Sequence, residues 1–277
     1  MSGKLYLVAT PIGNLEDITI RALNILKEVD LIAAEDTRHT LGLLNHFEIS
    51  KPLISYYKQN ERVKSEILIE KLLEGKNIAV VSDAGTPGIS DPGEEIVKCA
   101  IENNIEIIPI PGACALVNAL IASGFPTKEF CFIGFLSTLK KEKREKLDEL
   151  KNETKTIILY EAPHRLSDTL KEILEELGDR NIVIARELTK IHEEFIRGTI
   201  SQVLEKGINN KGEFVILIEG NMVSKKEQEI LNLCGLTLEK HYNFYQEKGL
   251  DKKEIIKQIA KDRKVSKNDI YQYFINK

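Results

Sequence analysis

Short apolar runs alternate with amphipathic stretches over the first 120 residues of this 277-residue chain. The apolar runs, which predict strands, are 4–9, 30–35, 77–83 and 105–110. The stretches with apolar residues at every third or fourth position, the spacing of a helix, are 18–29, 65–76 and 91–104. Pro92 is expected in the first turn of the last helix, where proline is tolerated. The alternation predicts an α/β fold, with helices covering a sheet, rather than a bundle or a sandwich.

A second block of strands follows Gly124 and Pro126, two residues that mark a change of element. Its strand-like runs are 130–136, 156–162, 181–187, 193–200 and 213–220. Because only a few residues join 181–187 to 193–200, a mixed sheet with an antiparallel part is expected. The sequence thus predicts two α/β domains, 1–123 and 124–223.

The remainder, 224–277, shows no strand pattern and predicts a small helical domain. Its helical stretches are 226–234, 237–249, 251–264 and 266–277. Asp251 and Ser266 are expected N-caps, and the last two helices resemble a helix-turn-helix unit. Residues 225–277 hold 12 Lys and Arg against 8 Asp and Glu, so this end carries +4 and the rest −8 of the total −4. A basic C-terminal end suggests binding to a polyanion such as RNA. A solvated helical face, or a helical domain that only caps an enzyme, would have the same excess of basic residues and is the alternative.

Composition narrows the class of protein. With 42% hydrophobic and 30% charged residues, the chain is that of an ordinary globular protein and not a disordered one. The longest apolar stretch, 105–122, contains a glutamate and two prolines, which argues against a membrane span, and the start is too weakly apolar for a secretory signal. A cytoplasmic protein is expected. The four cysteines lack C-x-x-C spacing and should be reduced and mostly buried, and no metal site is expected.

The most informative motif is VSDAGTPGISDPGEE at 81–95, where an apolar strand runs into three glycines and two prolines before a helix. Glycines let a ligand approach exposed backbone amides, although a purely structural turn is the alternative. The motif is neither a P-loop nor G-x-G-x-x-G, so neither a triphosphate nor a dinucleotide is indicated. The loops 8–19 and 109–126 also leave strands at their carboxyl ends, where open α/β sheets bind ligands.

Charged side chains cluster at the ends of strands in 33–40, 159–165 and 184–198. Charges in such places are more often site residues than solvated surface. None of the clusters forms a hydrolytic triad or a glycosidase pair.

The motifs VATPIGNLEDIT, AEDTR, VSDAGTPGISDPG, PGACALVNAL, YEAPHR, ARELTK and KGEFV occur in this order over nearly the whole chain. In this the chain resembles the tetrapyrrole methylase superfamily and, within it, the ribosomal RNA small subunit methyltransferase I proteins. The resemblance implies two α/β domains with a cleft for S-adenosylmethionine between them, and a homodimer. It implies methylation of the ribose 2′-hydroxyl of a cytidine in the decoding region of small-subunit (16S) ribosomal RNA, within a ribosomal particle. Gly85-Thr86-Pro87 departs from the Gly-Asp-Pro common in porphyrin-methylating relatives, which favours the RNA branch.

The same resemblance implies which residues bind the cofactor: Pro11, Asp83, Ala84, Gly85, Thr86, Ile89, Ser90, Cys114, Ala115, Tyr160, Leu188 and Glu213. A ribose hydroxyl is a very weak acid and needs a proton acceptor, for which the candidates are Glu35, Asp36, Glu161, His164, Glu187 and Lys190. Guanidinium groups suit RNA phosphates, and Arg38, Arg165, Arg186 and Arg197 are the candidates, with ion pairs to nearby acids as the alternative.

Two other functions stay open at this point. One is a small-molecule methyltransferase of the tetrapyrrole type, which the YEAPHR segment and the basic helical end disfavour. The other is a non-catalytic RNA-binding assembly factor. Binding of S-adenosylmethionine would distinguish the two, since an enzyme must bind it and an assembly factor need not.

Overall fold

The computed structural model describes residues 2–222, 230 and 232–275. The chain divides into two compact units. The first, here the α/β unit, comprises Met1–Leu147 and Thr156–Glu219, and the second, the helical unit, comprises Asp148–Lys155 and Gly220–Lys277. The predicted domain boundaries near residues 123 and 223 stay predictions. The helix predicted at 226–234 lies mostly outside the described residues.

The first sheet of the α/β unit is wholly parallel, in the strand order β3-β2-β4-β1-β5. Its strands are β1 (Leu5–Val8), β2 (Leu31–Ala34), β3 (Leu53–Ser55), β4 (Ile78–Val81) and β5 (Ile107–Ile110). The helices between and after them are α1 (Ile20–Glu28), α2 (Thr37–His46), α3 (Glu61–Leu73), α4 (Glu94–Glu102) and α5 (Ala115–Ser123). The four predicted strands and the three predicted helices are each present, but α2 was not predicted. The three-residue β3 was not predicted, because so short a strand leaves no periodic pattern.

Both faces of this sheet are buried, which explains why its strands are continuous apolar runs. On one face, Leu5 and Ile78 pack with Leu68 of α3 and Ile96 of α4. On the other face, Val8 and Ile32 pack with residues of α1 and α2 such as Leu26 and Leu44. Helices on both faces leave the carboxyl edge of the sheet as the place where its loops gather.

The expected place of Pro92 in the first turn of a helix is wrong. Helix α4 begins at Glu94, and Gly93 is its N-cap residue with φ +150°. The loop extends this far because the Gly93 N–H donates to Oε1 of Glu61 at 2.8 Å and the Gly88 N–H donates to the Pro92 carbonyl at 3.2 Å. Pro92 therefore belongs to the loop after β4.

The second sheet is mixed, as predicted, in the order β6-β7-β10-β8-β9. Its strands are β6 (Phe130–Phe135), β7 (Thr156–Glu161), β8 (Asn181–Arg186), β9 (Glu194–Thr199) and β10 (Phe214–Ile218). Only β6 and β7 pair in parallel, and β10 and β9 pair antiparallel with their neighbours. The accompanying helices are α6 (Lys140–Leu150), α7 (Leu166–Leu177) and α8 (Ile200–Lys206).

The helical unit has its own apolar core. Its named helices are α9 (Leu238–Glu247), α10 (Lys252–Asp262) and α11 (Lys267–Ile275). The buried core residues are Ile255, Ile256, Ile259, Ala260 and Ile270. Both predicted caps are confirmed: Asp251 accepts from the Glu254 N–H at 2.7 Å, and Ser266 Oγ accepts from the Asp269 N–H at 3.2 Å.

The four cysteines are free, as predicted, but each is partly exposed, so the expectation that most are buried is wrong. Cys131 lies on β6, an edge strand, and Cys114 precedes α5 at a cavity wall. Such positions at the margin of a sheet or loop leave a side chain half covered. Within the described residues, no helix is long and apolar enough to cross a membrane.

Candidate active site

Three loops of the first sheet meet at its carboxyl edge. Strands β1 and β4 are neighbours, and the loops after them are joined by two backbone hydrogen bonds between Thr10 and Gly85, of 2.8 and 3.0 Å. The hydroxyl of Thr86 donates to the carbonyl of Ala113, after β5, at 3.0 Å. Gly85 has φ +87°, a region that side chains disfavour, and a Cβ there would lie 3.3 Å from Cγ2 of Ile12. The glycine therefore keeps the backbone open where the loops converge.

These loops and the second sheet enclose a cavity of about 310 Å³, the first cavity. Ten of the predicted cofactor residues line it: Ala84, Gly85, Thr86, Ile89, Ser90, Cys114, Ala115, Tyr160, Leu188 and Glu213. The other lining residues are Ile12, Asp91, Phe135, Glu161, Ala162, Pro163, Ala185, Phe214 and Val215. The Tyr160 hydroxyl accepts from the Leu116 N–H at 3.1 Å and ties β7 to α5. Burial raises the pKa of the Tyr160 phenol, which therefore stays protonated.

A wider second cavity, of about 530 Å³, adjoins the first. It is lined by Thr10, Pro11, Ile12, Gly13, Leu15, Arg38, His39, Gly42, Leu43, Asp83, Ala84, Lys190 and Glu213. Ile12, Ala84 and Glu213 line both cavities. The remaining two predicted cofactor residues, Pro11 and Asp83, lie here and not on the first cavity.

The two cavities differ in charge. Among the described residues, the lining of the first contains three acids and no lysine, arginine or histidine. The lining of the second is mixed: it contains Arg38, His39 and Lys190 together with Asp83 and Glu213. The first cavity is thus the more acidic of the two, and within the described linings only the second offers cationic side chains to an anion such as a phosphate.

Lys190 is held between two carboxylates. Its Nζ lies 3.0 Å from Oε1 of Glu187 and 3.0 Å from Oε2 of Glu213. Burial lowers the pKa of Lys190, but the two hydrogen bonds outweigh it, so the pKa lies above its ordinary value. Burial likewise raises the pKa of Glu187, yet Lys190 and the Glu213 N–H bring it below the ordinary range. A Cβ on Gly13 would lie 2.5 Å from Cγ of Lys190, so only glycine lets the β1 loop pack here.

A group of acids follows β2 and β4. Oδ1 of Asp83 accepts from the Asp36 N–H at 2.9 Å, and Asp36 forms an exposed ion pair with Arg38 at 2.8 Å. Hydrogen bonds from Arg38 lower the pKa of Asp36 to about 2. Burial, followed by the charge of Asp83, raises the pKa of Glu35. Burial, followed by Glu35 and Asp83, raises the pKa of Asp91 to about 7.

Two predicted proton acceptors lie in unfavourable surroundings. Glu161 is 3% exposed and accepts from the Thr169 hydroxyl at 2.5 Å and the Ala162 N–H at 2.8 Å. Nε of Arg165 is 3.4 Å from the same carboxylate. His164 is exposed and lines neither cavity. The contacts of Glu161 fix the turn that follows β7.

The four predicted RNA-binding arginines fall into two groups. Arg165 donates to the Leu136 carbonyl at 2.8 Å, and the side chain of Arg186, 11% exposed, is 2.8 Å from Glu194. The guanidinium groups of Arg38 and Arg197 are exposed, although Arg197 also donates to the Ala122 carbonyl at 2.6 Å. Only Arg38 lines a cavity.

Several lining residues were missed from the sequence. Asp91 belongs to the motif at 81–95, and an acidic side chain beside the glycines could have indicated a residue of the cavity wall. His39 follows Arg38 in the cluster at 33–40 and could have been found in the same way. Phe135 and Val215 belong to apolar strands and carry no such signal. No group of potential metal ligands occurs in the part of the chain that the structure describes.

The family model of Tetrapyrrole (Corrin/Porphyrin) Methylases matches residues 4–204. Uroporphyrin-III C-methyl transferase from Thermus thermophilus, solved with S-adenyl homocysteine, superposes with a TM-score of 0.56 at 17% identity, over 78% of this chain and 97% of that one. Diphthine synthase superposes with a TM-score of 0.60 at 13% identity, over 78% and 90%. The fold and the loop-lined cavity define a protein of the tetrapyrrole methylase class.

Proteins of similar sequence identify the family within this class. Ribosomal RNA small subunit methyltransferase I of Halalkalibacterium halodurans is 53% identical over 274 residues, 98% of this chain and 94% of that protein. The protein of that name from Bacillus subtilis is 50% identical over the same shares. The one from Thermotoga maritima is 49% identical over 220 residues, 79% of this chain and 99% of its own. The chain belongs to the ribosomal RNA small subunit methyltransferase I family, which confirms the resemblance read from the motifs.

Proposed function

We propose that this chain transfers the methyl group of S-adenosylmethionine to the ribose 2′-hydroxyl of a cytidine in the decoding region of 16S ribosomal RNA, leaving S-adenosylhomocysteine. The observation that carries the proposal is the cavity lined by ten of the predicted cofactor residues, adjoined by a second cavity with Arg38 and Lys190 in its lining, in a member of this family. Relatives that are 44–53% identical bear the name of a small-subunit ribosomal RNA methyltransferase. A structural neighbour was solved with S-adenyl homocysteine, the demethylated cofactor.

The first cavity fits the cofactor. Its wall combines apolar side chains such as Leu188 and Val215, which suit an adenosine, with the open backbone at Gly85. Of its three acids, Glu161 lies beside Arg165 and Glu213 beside Lys190, which leaves Asp91 to suit a positively charged sulfonium. When bound, the cofactor supplies an activated methyl group. The ten predicted residues on this cavity would hold it, while Pro11 and Asp83 would face the acceptor.

The second cavity is the proposed place of the acceptor nucleotide. Arg38 and Lys190 would contact its phosphate or sugar oxygens, since a raised pKa keeps Lys190 protonated. Ile12, Ala84 and Glu213, shared by both cavities, mark where the acceptor oxygen would meet the methyl group. Holding oxygen, methyl and sulfur in line is the main contribution open to such a site, and it can reach roughly 7–11 kcal/mol.

Glu35 is the proposed proton acceptor among the six candidates. Burial, followed by the charge of Asp83, raises its pKa above the ordinary value, and it forms no ion pair within the described residues. It accepts from the N–H of Asp83, a residue of the second cavity, at 3.5 Å. Asp36 and Glu187 have lowered pKa values and would accept a proton less readily at neutral pH. Glu161 is fully engaged, Lys190 is protonated, and His164 is exposed and lines neither cavity. Glu35 also lines neither cavity, but its contact with Asp83 places it next to the second.

The partner and the setting follow from the same proposal. The substrate would be RNA in a ribosomal particle in the cytoplasm, and the enzyme a homodimer. Arg38 and Arg197 are the proposed phosphate contacts because their side chains are exposed, although Arg38 also pairs with Asp36 and Arg197 donates to the Ala122 carbonyl. Arg165 and Arg186 are covered and have internal partners. The basic end of the chain would add either a docking surface or a structural cap.

The test is transfer of radiolabelled methyl from S-adenosylmethionine to small ribosomal subunits that lack native methylation, followed by nuclease mapping. Label on a ribose 2′-oxygen of the decoding region would support the proposal. Label on a tetrapyrrole precursor but not on subunits would overturn it in favour of a small-molecule enzyme. Binding of subunits with neither cofactor binding nor transfer would point to a non-catalytic assembly factor.

A further inference from the structure

The carboxylate of Asp91 stands apart from the other acids on the first cavity. Glu161 is 3.4 Å from Nε of Arg165, and Glu213 is 3.0 Å from Nζ of Lys190. Asp91 has no hydrogen bond or ion pair with any residue that the structure describes. It therefore presents a half-buried carboxylate to the cavity without a compensating charge.

The groups around Asp91 are also acidic and provide no positive charge to balance its carboxylate. Glu35 follows β2, Asp83 follows β4, and Glu61 of α3 accepts from the Gly93 N–H two residues beyond Asp91. Across the cavity lie the phenol of Tyr160 and the thiol of Cys114. All of these groups are acids. Burial and the charges of Glu35 and Asp83 raise the pKa of Asp91 to about 7, so near neutrality it gains or loses its charge readily.

We infer that Asp91 makes the first cavity distinguish S-adenosylmethionine from S-adenosylhomocysteine by charge, favouring the cofactor and the release of the product. The inference rests on the cofactor assigned under the proposed function. The two molecules share the adenosine, the ammonium and the carboxylate, and they differ by one methyl group and one positive charge at sulfur. A cation beside an unpaired, half-buried carboxylate is attracted to it, whereas a neutral thioether leaves that carboxylate uncompensated.

The charge change also couples binding to a proton. A sulfonium near Asp91 favours the ionised carboxylate, so binding of S-adenosylmethionine near pH 7 releases a proton from Asp91. Binding of S-adenosylhomocysteine releases less, because no cation arrives at sulfur. The preference for the cofactor should therefore grow as the pH rises through the pKa of Asp91.

The test is calorimetric titration of the full chain with each of the two molecules, at pH values from about 5.5 to 7.5. The measured quantity is the ratio of the Kd of S-adenosylhomocysteine to that of S-adenosylmethionine, in which the shared parts of the two molecules cancel. In the wild type the ratio should rise with pH. In Asp91→Asn, which keeps the shape of the side chain, the ratio should fall by about tenfold at the upper pH and become independent of pH.

Glu94→Gln is the matched control. It also removes one carboxylate close by, but Glu94 is exposed, pairs with Lys98 at 2.7 Å and does not line the cavity. Its ratio should equal that of the wild type within about twofold. A wild-type ratio in folded Asp91→Asn, or the same fall in Glu94→Gln, would overturn the inference and leave the cofactor assignment intact. Failure of the wild type to bind either molecule would instead refute the cofactor assignment.

A second variant keeps the inference testable if Asp91→Asn does not fold. Glu35→Gln removes one of the charges that raise the pKa of Asp91. The pH at which the ratio rises should therefore move downward, while the ratio at the upper pH stays within about threefold of the wild type. An unchanged pH dependence in folded Glu35→Gln would contradict the coupling.

Discussion

Two acids, one in each compact unit of this protein, lie in opposite surroundings. In the helical unit, Asp262 accepts hydrogen bonds from Tyr245 at 2.6 Å and Gln258 at 2.8 Å and lies 3.2 Å from Nε2 of His241. In the α/β unit, Asp91 faces a cavity with other acids as its neighbours. A buried polar group with all its partners stabilises a fold, whereas one left without them at a cavity marks a place for a ligand. This contrast supports the proposal that the chemistry occurs in the α/β unit.

The relatives of this chain differ from it in length. The family model matches only residues 4–204. The Thermotoga maritima relative is matched over 99% of its own length by 220 residues, which leaves 57 of the 277 residues here without a counterpart. That number is close to the length of Gly220–Lys277, the main part of the helical unit. Members of this family thus differ in length by about the size of a unit that has a core of its own.

The largest expected effect is on the α/β unit. Gly85→Trp should fill the first cavity and lower methyl transfer and S-adenosylhomocysteine binding more than about 100-fold, because the indole occupies space that the ligand needs. Gly88→Trp is the matched control, since Gly88 has a similar φ of +82°, open space within 4 Å of the position that a Cβ would take, and no place in the cavity lining. Retained binding in folded Gly85→Trp would show that the cofactor site lies elsewhere.

The second prediction concerns the stability of the helical unit, which should depend on its buried acid, Asp262. Asp262→Ala leaves Tyr245, Gln258 and His241 without their acceptor and should lower the free energy of unfolding of this unit by roughly 3 kcal/mol. Cofactor binding in the α/β unit should not change. The measurements are chemical denaturation followed by circular dichroism and titration with S-adenosylhomocysteine. Equal loss of both quantities would mean that the two units are not independent.

A smaller effect is expected in the second cavity. Lys190→Met removes the cation between Glu187 and Glu213 and should raise the KM for ribosomal subunits about tenfold, with S-adenosylhomocysteine affinity within about twofold of the wild type. Lys171→Met is the control, because Lys171 is exposed and its ion pair among the described residues is with Asp168, three positions earlier in the chain. A loss of cofactor affinity without a change in KM would place Lys190 at the cofactor and not at the RNA.

The smallest effect concerns pH and the helical unit. Burial lowers the pKa of His241 below its ordinary value of 6.5, although Asp262 opposes this. In the window between the lowered pKa and 6.5, the unfolded chain binds more protons than the folded unit, so stability falls as the pH falls through it. His241→Gln should remove this part of the pH dependence. Denaturation at several pH values tests it, and an unaltered slope in the variant would assign the dependence to other groups.

Much of the fold was predictable because its cause is local. The runs 4–9, 30–35, 77–83 and 105–110 each contain an observed strand, since strands buried on both faces need continuous apolar sequence. The place of Pro92 was not predictable, because Glu61, 32 residues before Gly93, holds the loop open in front of α4. The short β3 exists because β2 offers it an edge, with Ala33 opposite Ile54. Both the start of α4 and the presence of β3 therefore depend on residues that are far away in the sequence.

Most of the strands and helices, the glycine loop at 81–95 and most of the wall of the first cavity could be inferred from the amino-acid sequence. Periodicity, backbone freedom at glycine and motif order depend on residues close together in the chain, so they can be recognised without the fold. Which charged groups lack a partner could be learned only from the fold. Arg186 is matched by Glu194 across two strands and Lys190 by Glu213, whereas Asp91 meets only other acids. The free energy of a charge depends on what surrounds it in space, so folding alone separates a structural ion pair from a reactive group.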